Sequence, residues 1–185
     1  MKYLKHLEIR DPDDIDDETM FQECDKYHHE LAKLRPRLSA AAWKYFSKGF
    51  AETGIHDADL VALTLGDGLD HEPFPWRTNY FRARAEFINQ NQKHRFIFKY
   101  RGIRRCSFDY DATIGQIRFL LEGDFPKMSV ESWRLDRVIG NELTAADDKY
   151  LRHEFIFASS ARLIIEAVKI SFEKHLMKKA SSQRK

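Results

Sequence analysis

Along the first third of the chain apolar residues return every three or four positions, and from Ile55 onward they return every two. Met20, Cys24, Tyr27, Leu31 and Leu34 follow one another at spacings of four, three, four and three, with Phe21 and His28 beside the stripe, which predicts an amphipathic helix. Asp16 or Asp17 can cap its start, acidic residues in the first turn complement its dipole, and Pro36 ends it. A second helix is expected from Ala40 to Lys48, with Ser39 as its N-cap, Ala42, Trp43, Phe46 and Phe50 on one side, and Gly49 and Gly54 at its exit. The two should form a hairpin lying on the rest of the fold.

The two-residue period reads as strands. Asp57 to Leu65 is a strand closed by Gly66-Asp67-Gly68, and the stretch around Pro73, Pro75 and Trp76 is a loop. A hairpin with Asn89 to Gln92 as its loop sets Phe81 opposite Tyr100, Ala83 opposite Phe98, Ala85 opposite Phe96 and Phe87 opposite His94. In that register the other side carries Glu86 against Arg95 and Arg82 against Lys99. A further turn at Arg101-Gly102-Ile103 would bring Cys106 opposite Phe98 and Phe108 opposite Phe96. Ala112 to Glu122 suits helix slightly better than strand. Trp133 to Leu143 and Lys149 to Phe157 read as strands, and Arg162 to Phe172 returns in a last hairpin that pairs Phe157 with Leu163 and Phe155 with Ile165. Ala167-Val168 breaks the alternation, so a bulge is expected there. Tyr3 to Ile9 fits a short strand or an ordered arm.

Composition narrows the class. The chain has 185 residues, of which 43% are hydrophobic and fourteen are phenylalanine, too much bulky apolar surface for a disordered chain and enough for one core. Apolar runs are only a few residues long and the N-terminus is charged where a signal peptide needs an apolar stretch, so a non-exported cytoplasmic protein without a membrane span is expected. Cys24 and Cys106 show no CxxC or zinc-type spacing and are expected as free thiols.

Charge adds the one local signal. The formal net charge is only +2, yet nine basic residues and a single acid, Glu86, lie between Arg77 and Arg105. The hairpin register puts Arg82, Arg84, Arg95, Lys99 and Arg101 on one side, interleaved with Tyr80, Phe81 and Tyr100, as a candidate binding face for an acidic protein or a phosphate backbone. No aromatic RNA-recognition signature or glycine-rich cradle accompanies it. The more ordinary use of such charge is solubility, or neutralisation by the run Asp11 to Asp25, which holds eight acids and no base.

No catalytic, metal-binding, nucleotide-binding or cofactor motif rises above chance. His56-Asp57 is similar to the His-Asp pair of metal-dependent phosphohydrolases, which present it on helices with further ligands. Here it opens a strand, where corner hydrogen bonding is the plainer role. His28, His29 and His71 lack ligand spacing. The last hairpin brings Glu154 opposite Glu166, a pair that could act as acid and base or hold a cation, unless the bulge separates them or Arg152 or Lys169 stands between them. His153 falls on the apolar side as a hydrogen-bonded core histidine.

The Met-Lys-Tyr start, the His-His-Glu-Leu helix at His28 to Leu31, the Ile-His-Asp-Ala opening at Ile55 to Ala58, and the hairpin strands Tyr150 to Phe157 and Ile164 to Ala167 together resemble small bacterial domain-of-unknown-function proteins, some of which sit near toxin and immunity genes. The resemblance implies a cytosolic bacterial α+β protein and carries no catalytic residues. Pattern and resemblance lead to one expectation: an α+β domain with two N-terminal helices (1–54) packed on a twisted, mainly antiparallel sheet of about six strands (55–173), and a frayed basic tail (174–185). The expected function is non-enzymatic binding through an exposed sheet face, in an immunity-like or adaptor role. The alternatives are a metal-assisted hydrolase using His56, Asp57, Glu154 and Glu166, and nucleic-acid binding through the basic hairpin 77–105.

Overall fold

The structure, a computed structural model, describes residues 2–4, 16–48, 55–66, 81–89, 91–109, 135–159 and 161–177, with backbone alone at 135 and 136. The first helix, α1 (Asp17–Leu34), starts where the sequence puts it, with the Asp16 carboxylate accepting the Glu18 and Thr19 N–H groups, and Tyr27, Leu31 and Leu34 are its buried residues. A single 3-10 turn, Arg35–Arg37, carries the proline. Then α2 (Ala40–Phe46) begins with the Ser39 hydroxyl accepting the Ala42 N–H, and buries Ala42, Tyr45 and Phe46. The two helices pack on a six-stranded antiparallel sheet: β1 (Asp59–Gly66), β2 (Arg82–Ile88), β3 (His94–Asp109), β4 (Leu135–Ala145), β5 (Leu151–Phe157) and β6 (Arg162–Leu176).

Neighbouring strands run in the order β1-β2-β3-β6-β5-β4, and β4 returns to β1 to close a barrel. The closing contact is short: Asp59 faces Arg137 and Leu60 faces Leu135, with the Val138 N–H donating to the Ala58 carbonyl. Farther along β4 the helices take over. The Leu143 N–H donates to Tyr27 Oη at 3.1 Å, and Asn141 Nδ2 donates to Tyr45 Oη at 2.8 Å. An edge strand with unmet N–H groups is a liability, and α1 covers this one.

Alternation sets the inner face. Phe87, Phe96, Phe98, Tyr100, Phe155 and Phe157 are fully buried, and α2 adds Tyr45 and Phe46, whose rings lie 5.2 and 6.3 Å from that of Phe98. His153 is buried among these rings and shares a 2.8 Å hydrogen bond through Nδ1 with Tyr100 Oη, the core role its position predicts. Burial pushes its pKa down to about 3.

Except for Phe81, which is expected on the packed side and is 54% exposed, residues fall on the faces that the alternation predicts, but both hairpin registers differ from the expected ones by two residues. Ala85 faces Phe98 and Phe87 faces Phe96. The ladder runs one residue past its expected end, because the Asn89 N–H donates to the His94 carbonyl and the Asn89 side chain accepts the His94 N–H. In the last hairpin Phe155 faces Leu163, because the Phe157 N–H donates to the Ala161 carbonyl across a tight turn that the Ser159 hydroxyl braces. A two-residue slip preserves the faces, whereas a slip of one exchanges them.

No turn follows Arg101. Gly102, at φ 65°, takes a left-handed kink inside a continuous β3, and the Phe81 carbonyl accepts both the Gly102 and Ile103 N–H groups. Beyond it β3 runs along β6, so Cys106 faces Ile165 and Phe108 faces Leu163 instead of the two phenylalanines expected. The alternation of β6 does break where expected, since Leu163, Ile165 and Ala167 and then Ile170 belong to the core cluster, which Ile164 does not join. The register irregularity lies between Ile103 and Arg105 of β3, across from Ala167 and Glu166. β6 continues through Leu176, into the expected tail. The expectations for 5–10, 49–54, 67–80, 112–128 and 178–185 fall outside the described residues.

Candidate functional site

The register of the outer face decides which charges meet. Arg82, Arg84, Arg95 and Arg101 are exposed and Lys99 is half-buried, and Arg84 stands opposite Lys99 while Arg82 stands opposite Arg101. Two of the five are answered by Glu86, whose carboxylate is 2.9 Å from both Arg84 Nη2 and Arg95 Nε. Lys99 is answered by Glu173 on β6, and this contact, with a second from His175, holds the Glu173 carboxyl below its usual range. The neutralising acids therefore stand on the sheet itself.

Arg82 and Arg101 remain. On its other side Arg101 faces Lys169 of β6, so three cations stand in register across β2, β3 and β6. Among the described residues none of the three has an ion-pair partner. Facing side chains on neighbouring strands have Cβ atoms about 5 Å apart, and like charges at that distance destabilise the pairing. Phe81, 54% exposed, is the residue before β2.

The Glu154 and Glu166 candidates share one outer face, but Arg152 stands between them, directly opposite Glu166, while Glu154 faces Ile164. The two-residue register difference is the cause. Only 3% and 8% exposed, the two carboxylates are held by three arginines. Arg162 Nη1 is 3.4 Å from Glu154 Oε1 and Arg152 Nη2 is 3.0 Å from its Oε2. Arg152 Nη1 is 3.7 Å from Glu166 Oε1, and Arg104 donates from Nε and Nη2 to Glu166 Oε2 at 3.0 and 2.7 Å. Arg104 also reaches Asp147, and these contacts, Glu166 first, raise its pKa further. A third buried carboxylate, Glu142, faces Glu154 and accepts the N–H groups of Lys2, Tyr3 and Leu4 at 2.7, 2.7 and 2.9 Å. A cavity of about 520 Å³ lies over this network, with both its carboxylates already engaged by guanidinium groups. Such an arrangement fixes the hairpin and leaves neither oxygen pair open for acid–base work.

His56 and Asp57 sit elsewhere, in the turn before β1. Asp57 is left-handed at φ 62°, its carboxylate is 2.8 Å from His56 Nδ1 and 3.8 Å from Arg137, and its N–H donates to the Val138 carbonyl. The corner role therefore falls to the Asp57 backbone, while the two side chains meet each other. The four hydrolase candidates do not share a site, and no three His, Cys, Asp or Glu side chains among the described residues are grouped to hold a metal ion. His28 and His29 are exposed on α1. Both cysteines are free. No helix among the described residues is long and apolar enough to cross a membrane.

The sequence reading missed the roles of Arg104, Arg162 and Glu142, and offered Lys169 only as a residue between the two glutamates, whereas it faces Arg101. Lys169 and Arg104 acquire their roles through the pairing of the distant strands β3 and β6, for which the local pattern holds no signal; Arg162 reaches Glu154 across the last hairpin in its shifted register, and Glu142 accepts the N–H groups of residues 2–4. No protein-family model matches the sequence, and no curated protein matches it either.

Proposed function

We propose that this chain is a non-enzymatic binding protein of the immunity or adaptor kind, working in a bacterial cytoplasm, which takes an acidic protein partner on the outer sheet face at Arg82, Arg101 and Lys169. The observation that carries this reading is the uncompensated row. Elsewhere on the same face Arg84, Arg95, Lys99, Arg104, Arg152 and Arg162 are matched by Glu86, Glu173, Glu154 and Glu166, whereas here three cations face one another with no carboxylate among the described residues. A sheet that accepts like-charge repulsion at one place gains nothing in stability from it, and an arriving acidic surface removes the repulsion.

The test is fluorescence anisotropy with a labelled polyglutamate peptide and a single-stranded oligonucleotide of equal charge. The peptide should bind at low salt, weaken as salt rises, and weaken further in Arg82→Gln, while Lys93→Gln, the same charge change in the loop before β3, should have little effect. Absence of peptide binding at low salt overturns the proposal. Tighter binding of the oligonucleotide replaces it with the nucleic-acid reading.

A further inference from the structure

At one end of the row the turn between α1 and α2 stands beside β3 and β6 and lines, with them, a half-open cavity of about 440 Å³. Four cations line it, Arg37, Lys99, Arg101 and Lys169, together with Ser39 and Ser171, and the rest of its lining is apolar. No acidic side chain among the described residues lines it. Lys99 is already held by Glu173, but Arg101 and Lys169 have no ion-pair partner among the described residues. Arg37 donates from Nη1 to the Asp147 carbonyl at 3.1 Å, and its Nη2 is buried with no hydrogen-bond partner. A buried donor without an acceptor is costly and uncommon. The Ser39 hydroxyl accepts the Ala42 N–H, so its own hydrogen stays available to donate.

These groups reach the cavity from three separate elements, the interhelical turn, β3 and β6, so they can surround an oxyanion instead of meeting it along one edge. Three cations without carboxylate partners among the described residues call for at least two negative charges, and donors from several directions suit the tetrahedral oxygens of a phosphoryl group better than the planar fork of one carboxylate. The volume lies within the usual range of small-molecule sites and leaves room for an organic group beyond the phosphate. We propose that this cavity binds a phosphorylated small molecule of two or more negative charges, held by Arg37, Arg101 and Lys169. The proposal rests on reading the outer row as an anion surface, because Arg101 and Lys169 belong to both.

The experiment is calorimetric titration of the full chain with inorganic pyrophosphate at low salt. Saturable binding at one site is expected, weakened about tenfold in Arg37→Gln and in Lys169→Gln, as for the loss of one charge-assisted contact. Lys93→Gln should stay within about twofold of the parent, since a distant exposed charge is screened. Lys169 is exposed, so its substitution keeps the test decisive should Arg37→Gln fail to fold. Arg82→Gln separates the two proposals: it should weaken polyglutamate and leave pyrophosphate unchanged, because Arg82 does not line the cavity. Absence of saturable pyrophosphate binding overturns the cavity assignment even where polyglutamate binds. Equal weakening by Lys93→Gln and Arg37→Gln overturns it as well, since the attraction would then be diffuse.

Discussion

Two arginine-rich regions share the outer face of this sheet. Around the last hairpin, Arg104, Arg152 and Arg162 are spent on two buried glutamates, each oxygen of which meets a guanidinium group. Across β2, β3 and β6, Arg82, Arg101 and Lys169 face one another with no such acids among the described residues. The first region spends its charge on holding strands together, while the second leaves it for something outside the chain. Abundance of arginine does not separate the two; the cross-strand neighbour does.

The largest effect should come from breaking the neutralised region. Arg152→Met leaves Glu154 and Glu166 each short of a guanidinium while still buried, and should cost about 3 kcal/mol in urea denaturation, since removing one partner of a buried ion pair strands the other charge. A loss under about 1 kcal/mol would show the network to be as dispensable as an exposed pair.

Acid should separate stability from binding next. The folded chain keeps His153 neutral down to about pH 3, whereas an unperturbed imidazole titrates near 6.5. Between those values the unfolded state binds the extra proton, so stability falls as the pH drops below 6.5, by up to about 1.4 kcal/mol per unit. The loss is therefore about 2 kcal/mol at pH 5, and His153→Leu should flatten that limb of the stability curve. The cation row holds no histidine, so its binding should not follow this loss. Polyglutamate is an unsuitable probe at such pH, so binding is better followed with a sulfated polymer, whose affinity should not fall while the chain stays folded.

A smaller contrast lies within β2. Arg84→Gln removes one of the two arginines on Glu86 and should cost about 1 kcal/mol, the worth of a partly exposed charged contact. Arg82→Gln, two residues away, should change stability by less than about 0.5 kcal/mol. Equal losses in the two variants would mean that Arg82 has a partner holding it in place.

How far the sequence foretold this picture depends on the range of the interaction. Asp16 and Ser39 cap their helices as read, and Tyr27, Leu31, Ala85, Phe98 and His153 are buried as their periods require, because caps and faces are local properties. The hairpin registers were two residues away, because loop closure turns on single hydrogen bonds at Asn89 and Ala161 that alternation does not record. Pairing of β3 with β6 joins residues some seventy positions apart, and through it Lys169 meets Arg101 and Arg104 meets Glu166. Neither meeting is visible in a local pattern. Gly102 was legible as an interruption but not as a kink within one long strand, since a turn and a kink ask the same left-handed freedom of glycine.

Lys169→Glu tests the central claim most directly, because it places a carboxylate opposite Arg101 and gives the row the neutraliser it lacks. Urea denaturation and polyglutamate anisotropy on that one variant should move in opposite directions. Stability should rise by about 0.5 kcal/mol, the worth of an opposite-charge cross-strand pair replacing a like-charge one, while affinity for the acidic peptide falls. A variant that loses stability, or that binds the peptide as tightly as the parent, would contradict the assignment of this row to binding.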